Sequence, residues 1–211
     1  MTDPSSYHPG LTADRLKVLA GVIVRVRREA IALHDTESGE TNLSLGTRTF
    51  ERLCEAFRRL ADEVDWLRFF QAGNYFLLLV DGVPMKFHRG DPDDPNPRTT
   101  RELQPETELK FAFMATMPEQ RAPGATLADR ARLYFQDDPE TKEVFRVAVA
   151  RVGPDGKTVR SWDIDLTNVV APLTALDGDL PEAPDLDQPK VTPKPPPARK
   201  TKTDDDDDDV E

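Results

Sequence analysis

The dipeptide Asp81-Gly82 stands between two apolar runs, YFLLLV and VPMKF, within the stretch 74–98, NYFLLLVDGVPMKFHRGDPDDPNPR. A type I′ turn requires φ > 0 at both central residues, which Gly adopts freely and Asp tolerates, so the dipeptide is a strong hairpin signal. A two-residue loop fixes the register. Val80 then faces Val83, Leu78 faces Met85 and Phe76 faces Phe87, and these six side chains share one face, which is core. The other face sets Leu79 against Pro84, Leu77 against Lys86 and Tyr75 against His88. The first strand is apolar on both sides and reads as central. The second turns polar on one side, and Pro84 has no N–H to offer a further neighbour, so it reads as an edge strand. Past it, His88-Arg89-Gly90-Asp91 opens an acidic, proline-studded loop over 90–105, and ordered loops of that length are often functional.

Upstream, residues 1–10 carry Pro4, Ser5, Ser6 and Pro9-Gly10 and read as irregular or disordered. Thr12 is placed as an N-cap, and Leu16, Leu19, Ala20, Ile23, Val26, Ala30 and Leu33 recur at helical spacing, which predicts a helix over 13–33. Gly21 and the β-branched run 22–24 weaken it. Arg25, Arg27 and Arg28 are grouped on this helix; a phosphate-binding or acidic-partner patch is one reading, a solvated helix face the favoured one. A second helix begins near Thr47 or Thr49, with Phe50, Leu53, Cys54, Phe57, Leu60, Ala61 and Val64 on one stripe. Residues 66–70 read as its last turns rather than as a strand.

Downstream, 108–114 and 130–136 alternate as strands, and a second hairpin spans 143–152 and 157–166 around Gly153-Pro154-Asp155-Gly156, whose composition fits a type I turn closed by a residue in the left-handed region. An even loop puts Val147 opposite Trp162 and Phe145 opposite Ile164 on one face, with Arg146 opposite Asp163 on the other. The chain therefore reads as α+β: two N-terminal helices packed on one face of a mainly antiparallel sheet of about five or six strands, forming a single domain over 11–168.

From residue 169 the composition changes. Eight of the nineteen prolines lie in 171–211, and a basic block (Lys190, Lys194, Arg199, Lys200, Lys202) precedes six aspartates at 204–209. Such a segment cannot bury enough apolar surface to offset the entropy of ordering, and is expected to be a disordered tail. It holds twelve acidic and five basic side chains, which leaves only −4 of the net −11 for residues 1–170. An acidic chain of pI near 4.8 disfavours a general nucleic-acid surface, which needs positive charge to displace phosphate counterions. The lone Cys54, on the apolar seam of a helix, reads as buried and inert, and rules out an intramolecular disulfide. The start of the chain lacks a basic and then apolar leader, no apolar run spans a bilayer, and the expected location is cytoplasmic. Arginine-rich, Ala- and Pro-rich composition over 1–170 suggests a GC-rich bacterial genome.

Chemistry-bearing motifs are sparse. His8, His34 and His88 have no zinc-ligand spacing. Asp91, Asp93, Asp94 and Asn96 resemble an oxygen-ligand loop, but Pro92 and Pro95 interrupt it and no Gly or later Glu falls where a calcium loop needs them. One enzymatic alternative is a Mg-dependent nuclease of the restriction-endonuclease-like class, with Asp81 or Asp91 and Glu108 holding the metal and Lys110 assisting water. The Glu-x-Lys pattern recurs at Glu140-Thr141-Lys142, which makes it weakly informative. A nucleic-acid-binding module using an arginine patch is a second alternative. The favoured reading is a small non-catalytic binding or regulatory protein with no cofactor, acting through a protein partner. Its candidate binding residues are His88, Arg89, Asp91, Arg98 and Arg101, with Arg25, Arg27 and Arg28.

Overall fold

The structure, a computed structural model, describes residues 4–72, 75–96, 130–167 and 169. A short 3-10 turn (Pro4–Ser6) leads to helices α1 (Ala13–Ala32) and α2 (Asn42–Glu63), and then to strands β1 (Leu67–Ala72), β2 (Tyr75–Val80), β3 (Val83–Arg89), β4 (Arg130–Asp137), β5 (Val144–Val152) and β6 (Thr158–Asp163). The strands form one sheet in sequence order. Every neighbouring pair is antiparallel except β3 and β4, which run parallel. The architecture is α+β with a mixed sheet.

The helices and one sheet face enclose the core. Alternate strand residues, among them Phe76, Leu78, Val80, Met85, Phe87, Leu133, Phe135, Val147, Val149 and Trp162, pack against Leu16, Leu19, Ile23 and Val26 of α1 and Leu53, Phe57 and Leu60 of α2. Burial of each such side chain is worth roughly 1.5–3 kcal/mol. At the centre the rings of Phe57, Phe76, Phe87 and Phe135 follow one another at centroid distances of 5.1–5.6 Å.

Both turns adopt the geometry their residues demand. Asp81 and Gly82 have φ of 47° and 85°, and β2 pairs with β3 in the expected register, Val80 with Val83 and Leu78 with Met85. At the second hairpin Gly156 N–H donates to Gly153 O (3.0 Å), closing the turn over Pro154-Asp155, and Gly156 has φ 82°. Helix α1 starts behind Thr12, whose Oγ1 accepts the Arg15 N–H.

Several expectations are corrected. Strand β3 is not an edge: it lies between β2 and β4. Pro84 is tolerated because the parallel ladder with β4 begins one residue later, at Met85 and Ala131. Its polar face, which suggested solvent, meets a matching polar face on β4. Residues 66–70 are not the end of α2. The helix stops at Glu63, Val64 is already extended, and Leu67 and Phe69 alternate into the core as β1. Helix α2 starts earlier than expected, where Thr41 N–H donates to Ser44 Oγ (3.3 Å) ahead of Asn42. The β5–β6 hairpin keeps the even parity but slides by two residues, pairing Val149 with Trp162 and Ala148 with Asp163. Phe145 is 59% exposed, because the β4–β5 ladder steps from Gln136↔Arg146 to Asp137↔Val144 and leaves it as the unpaired residue of a bulge. Residues 4–10 are packed rather than loose: Tyr7 stacks on Trp162 at 6.0 Å and His8 is buried. The strand expected over 108–114 and the tail from 170 onward lie outside the described residues.

Candidate functional site

The core rows of β3 and β4 continue past the hydrophobic layer as charge. Period-two alternation carries Met85 and Phe87 on to Arg89, and Leu133 and Phe135 on to Asp137. Arg89 donates to Asp137 through Nε (2.7 Å to Oδ1) and Nη2 (2.7 Å to Oδ2). From α1, Arg27 reaches the same carboxylate with Nη2 at 2.6 Å, and also donates to Thr49 Oγ1 of α2 (3.0 Å) and to the carbonyl of Lys142 (2.9 Å). Lys142 has φ 63°, a left-handed conformation unusual for a side chain of its kind, in the turn that presents this carbonyl. The Arg27 and Asp137 side chains are 2% and 6% exposed, whereas Arg89 is 50% exposed. Two guanidinium groups thus share one carboxylate, the three groups together carry one net positive charge, and the outer guanidinium faces solvent.

Arg89 sits where two clefts meet. One, of about 450 Å³, is lined by Phe50, Tyr75 and Phe87 among others; the second, of about 630 Å³, runs past Asn42, Leu43, Thr47 and Gln71. Gly46 and Phe50 line both, and nothing lies within 4 Å of where a Cβ on Gly46 would stand. Leu43 is 79% exposed beside them.

The opposite sheet face carries a buried basic and aromatic row. Lys86 pairs with Arg132 and His88 with Tyr134 across the β3–β4 ladder, and the last two rings stack at 5.3 Å. Arg132 and Tyr134 are almost fully buried and His88 is 7% exposed. Burial, reinforced by the Lys86 and Arg132 charges, pushes the imidazole of His88 down to about 3, and burial pushes the Tyr134 phenol up to about 12. Both groups are neutral at physiological pH, and among the described residues His88 Nε2 and the Tyr134 hydroxyl have no hydrogen-bond partner.

The acidic loop after β3 is held down by a residue that sequence reasoning placed only opposite Asp163. Arg146 of β5 donates to Asp91 (3.3 Å), Asp93 (2.9 Å), Asp163 (2.6 Å) and Gln136 (3.1 Å). Ser161 Oγ donates to Asp93 (2.6 Å), and Thr158 Oγ1 bonds the Pro92 carbonyl. These bonds, with Ser161 first and Arg146 next, hold the Asp93 carboxyl below its usual range. Asp91 and Asp93 therefore have structural partners. Among the described residues no three His, Cys, Asp or Glu side chains are grouped so as to hold a metal ion.

The arginines of α1 do not form a patch: Arg27 points into the core, Arg28 is exposed, and the partly buried Arg25 lies 3.8 Å from Glu29. The favoured expectation of a solvated helix face thus fails at Arg27. Asp81 occupies its turn and accepts from Arg15 Nη1 at 3.0 Å, at the opposite end of β3 from Asp91. Cys54 is buried, and burial pushes its thiol up to about 11, far from a reactive thiolate. Arg98, Arg101, Glu108 and Lys110 lie outside the described residues. Asp137, Thr49 and Arg146 were missed as site-forming residues. Only Asp137 had a readable signal, as the charged successor of Leu133 and Phe135 in an alternating strand. Among the described residues no helix is long and apolar enough to cross a membrane. Comparison with known protein families, with curated proteins and with solved structures finds no match to this chain.

Proposed function

We propose that this protein works by binding, as a regulatory or accessory partner of another protein, and that Arg89 with its two adjoining clefts is the contact point of the folded body. The observation that supports this reading is the way Arg89 is held. Nε and Nη2 are fixed on Asp137, which is itself fixed by buried Arg27, while the half-exposed guanidinium stands between the clefts. A pre-oriented Arg beside the ring of Phe50 combines two residue types over-represented at interfaces, at little cost in side-chain entropy on binding, and exposed Leu43 adds apolar area next to them. The alternative of a metal-dependent nuclease needs one of Asp81 and Asp91 together with Glu108 and Lys110, and the last two lie outside the described residues.

The test is quantitative cross-linking and capture of partners from the source cell with wild type, Arg89→Ala and, as a control on the opposite sheet face, Arg68→Ala, whose row in the sheet, Leu79 and Pro84, lies at the other end of β3. The expected result is a specific partner whose affinity falls about tenfold or more with Arg89→Ala and is unchanged with Arg68→Ala, the loss typical of one interface hot spot. Equal capture by all three proteins overturns the assignment of the site.

A further inference from the structure

Strand β6 ends the sheet, and among the described residues no strand pairs with its outer edge. The Ile164 N–H donates to Val147 O at 2.8 Å, so Ile164, Trp162 and Arg160 direct their backbone groups toward β5. The alternation of an antiparallel ladder then turns the N–H and C=O of Ser161 and Asp163 outward. Alongside runs a groove of about 470 Å³, walled on one side by Ala13, Leu16 and Lys17 of α1 and on the other by the unbroken run 160–165.

Two side chains in this groove have unmet chemistry. Trp162 is 8% exposed, and among the described residues its indole N–H has no acceptor. Arg160 lies over the Trp162 ring at 5.4 Å and makes no ion pair among the described residues, since Asp163 is taken by Arg146 and Asp165 by Lys17 at 3.3 Å. Edge donors and acceptors that no strand among the described residues uses, with a cation lying over a tryptophan ring beside them, are together what an extended peptide backbone with an acidic side chain satisfies.

We propose that β6 is a strand-addition site for an extended peptide segment of a partner protein, carrying an apolar residue and an acidic residue two positions apart. On the helix side of an added strand, residues two apart fall beside Trp162 and Arg160. The apolar side chain packs on Leu16 and Trp162, and the carboxylate meets Arg160. The backbone bonds form at Ser161 and Asp163. This surface shares no lining residue with the Arg89 clefts and does not depend on them.

The test selects binders of the full-length protein from a random heptapeptide library and follows the enriched synthetic peptides by NMR. Enriched sequences are expected to carry the apolar-x-acidic pattern. At saturation, amide exchange slows at least tenfold at Ser161 and Asp163 and is unchanged at Arg160 and Trp162. The Trp162 indole N–H resonance moves while that of Trp66 stays. Ser161→Pro deletes one outward N–H without touching the β5 ladder and weakens binding at least tenfold. Ser161→Ala, which loses only the bond to Asp93, and Arg89→Ala bind like wild type. If Ser161→Pro does not fold, the exchange pattern in wild type decides. The proposal is overturned if no peptide is enriched, if Ser161 and Asp163 are already protected in the free protein or gain no protection, or if folded Ser161→Pro binds unchanged.

Discussion

Asp137 carries two guanidinium groups on one carboxylate, and the two contacts differ in depth. Arg27 is buried on the inner side, so removing the carboxylate leaves a cation in the core with only neutral acceptors. Asp137→Asn is expected to cost about 3–5 kcal/mol of unfolding free energy, the range for breaking a buried pair. Arg89→Ala removes the half-exposed partner and is expected to cost less than about 1 kcal/mol. Urea titrations of the two variants check the contrast. His88 supplies a pH signature. Its folded-state pKa lies near 3, below the unfolded value of 6.5, so between those values the unfolded chain binds more protons than the native one. The sign follows: stability from the neutral ring is complete above pH 6.5 and is lost as the pH falls toward 3, at up to about 1.4 kcal/mol per pH unit. The urea midpoints of wild type and His88→Gln are expected to converge or cross on acidification from pH 7 to 4, and a constant difference between them contradicts it. Sequence order alone could single out Arg89 as unexplained by folding. It could not show that Arg27, 62 positions earlier, would reach the same carboxylate, because that meeting depends on how α1 lies over the sheet.

The first hairpin shows how one turn fastens a neighbouring segment. Asp81 holds its left-handed turn, gives its N–H to the Trp66 carbonyl (2.7 Å), and accepts from Arg15 Nη1, which also donates to Gly10 O (3.0 Å). The N-terminal segment therefore crosses directly over the β2–β3 turn. A Cβ on Gly10 would stand 2.4 Å from the Asp81 Cβ, so the approach requires glycine. Gly10→Ala is expected to destabilise by about 1–3 kcal/mol, as overpacking does, and a thermal melt beside Gly39→Ala measures it. The control is informative because Gly39 has open space around it but φ 89°, so backbone strain acts there without a steric clash. Local signals proved reliable where the chemistry is local: both turns, the Thr12 cap, the alternation of β4. They failed where a neighbour decides the outcome. Pro84 looked like an edge residue because nothing nearby in sequence reveals that β4 arrives in parallel, one residue beyond it. The stretch 66–70 has the aromatics of a helix end and of a strand alike, and pairing with β2 settles it as β1.

At the scale of the whole molecule, the parallel β3–β4 pair joins an early three-strand meander, β1–β3, to a late one, β4–β6, and both halves rest on the same two helices. Trp66 and Leu67 at one edge and Trp162 at the other belong to one continuous apolar cluster, through the Phe57, Phe76, Phe87 and Phe135 rings between them. A core shared in this way gives neither half an independent interior, so the halves are expected to unfold together. Two single-tryptophan proteins, Trp66→Phe and Trp162→Phe, place the remaining fluorophore at opposite edges of the sheet. Within each protein, the guanidinium transition followed by fluorescence and by far-ultraviolet circular dichroism is expected to share one midpoint and one m value. Separate midpoints, with the hairpin reporter at Trp66 leaving the helical signal behind, would show instead that the β1–β3 half unfolds by itself and that the parallel junction is a boundary rather than part of one core.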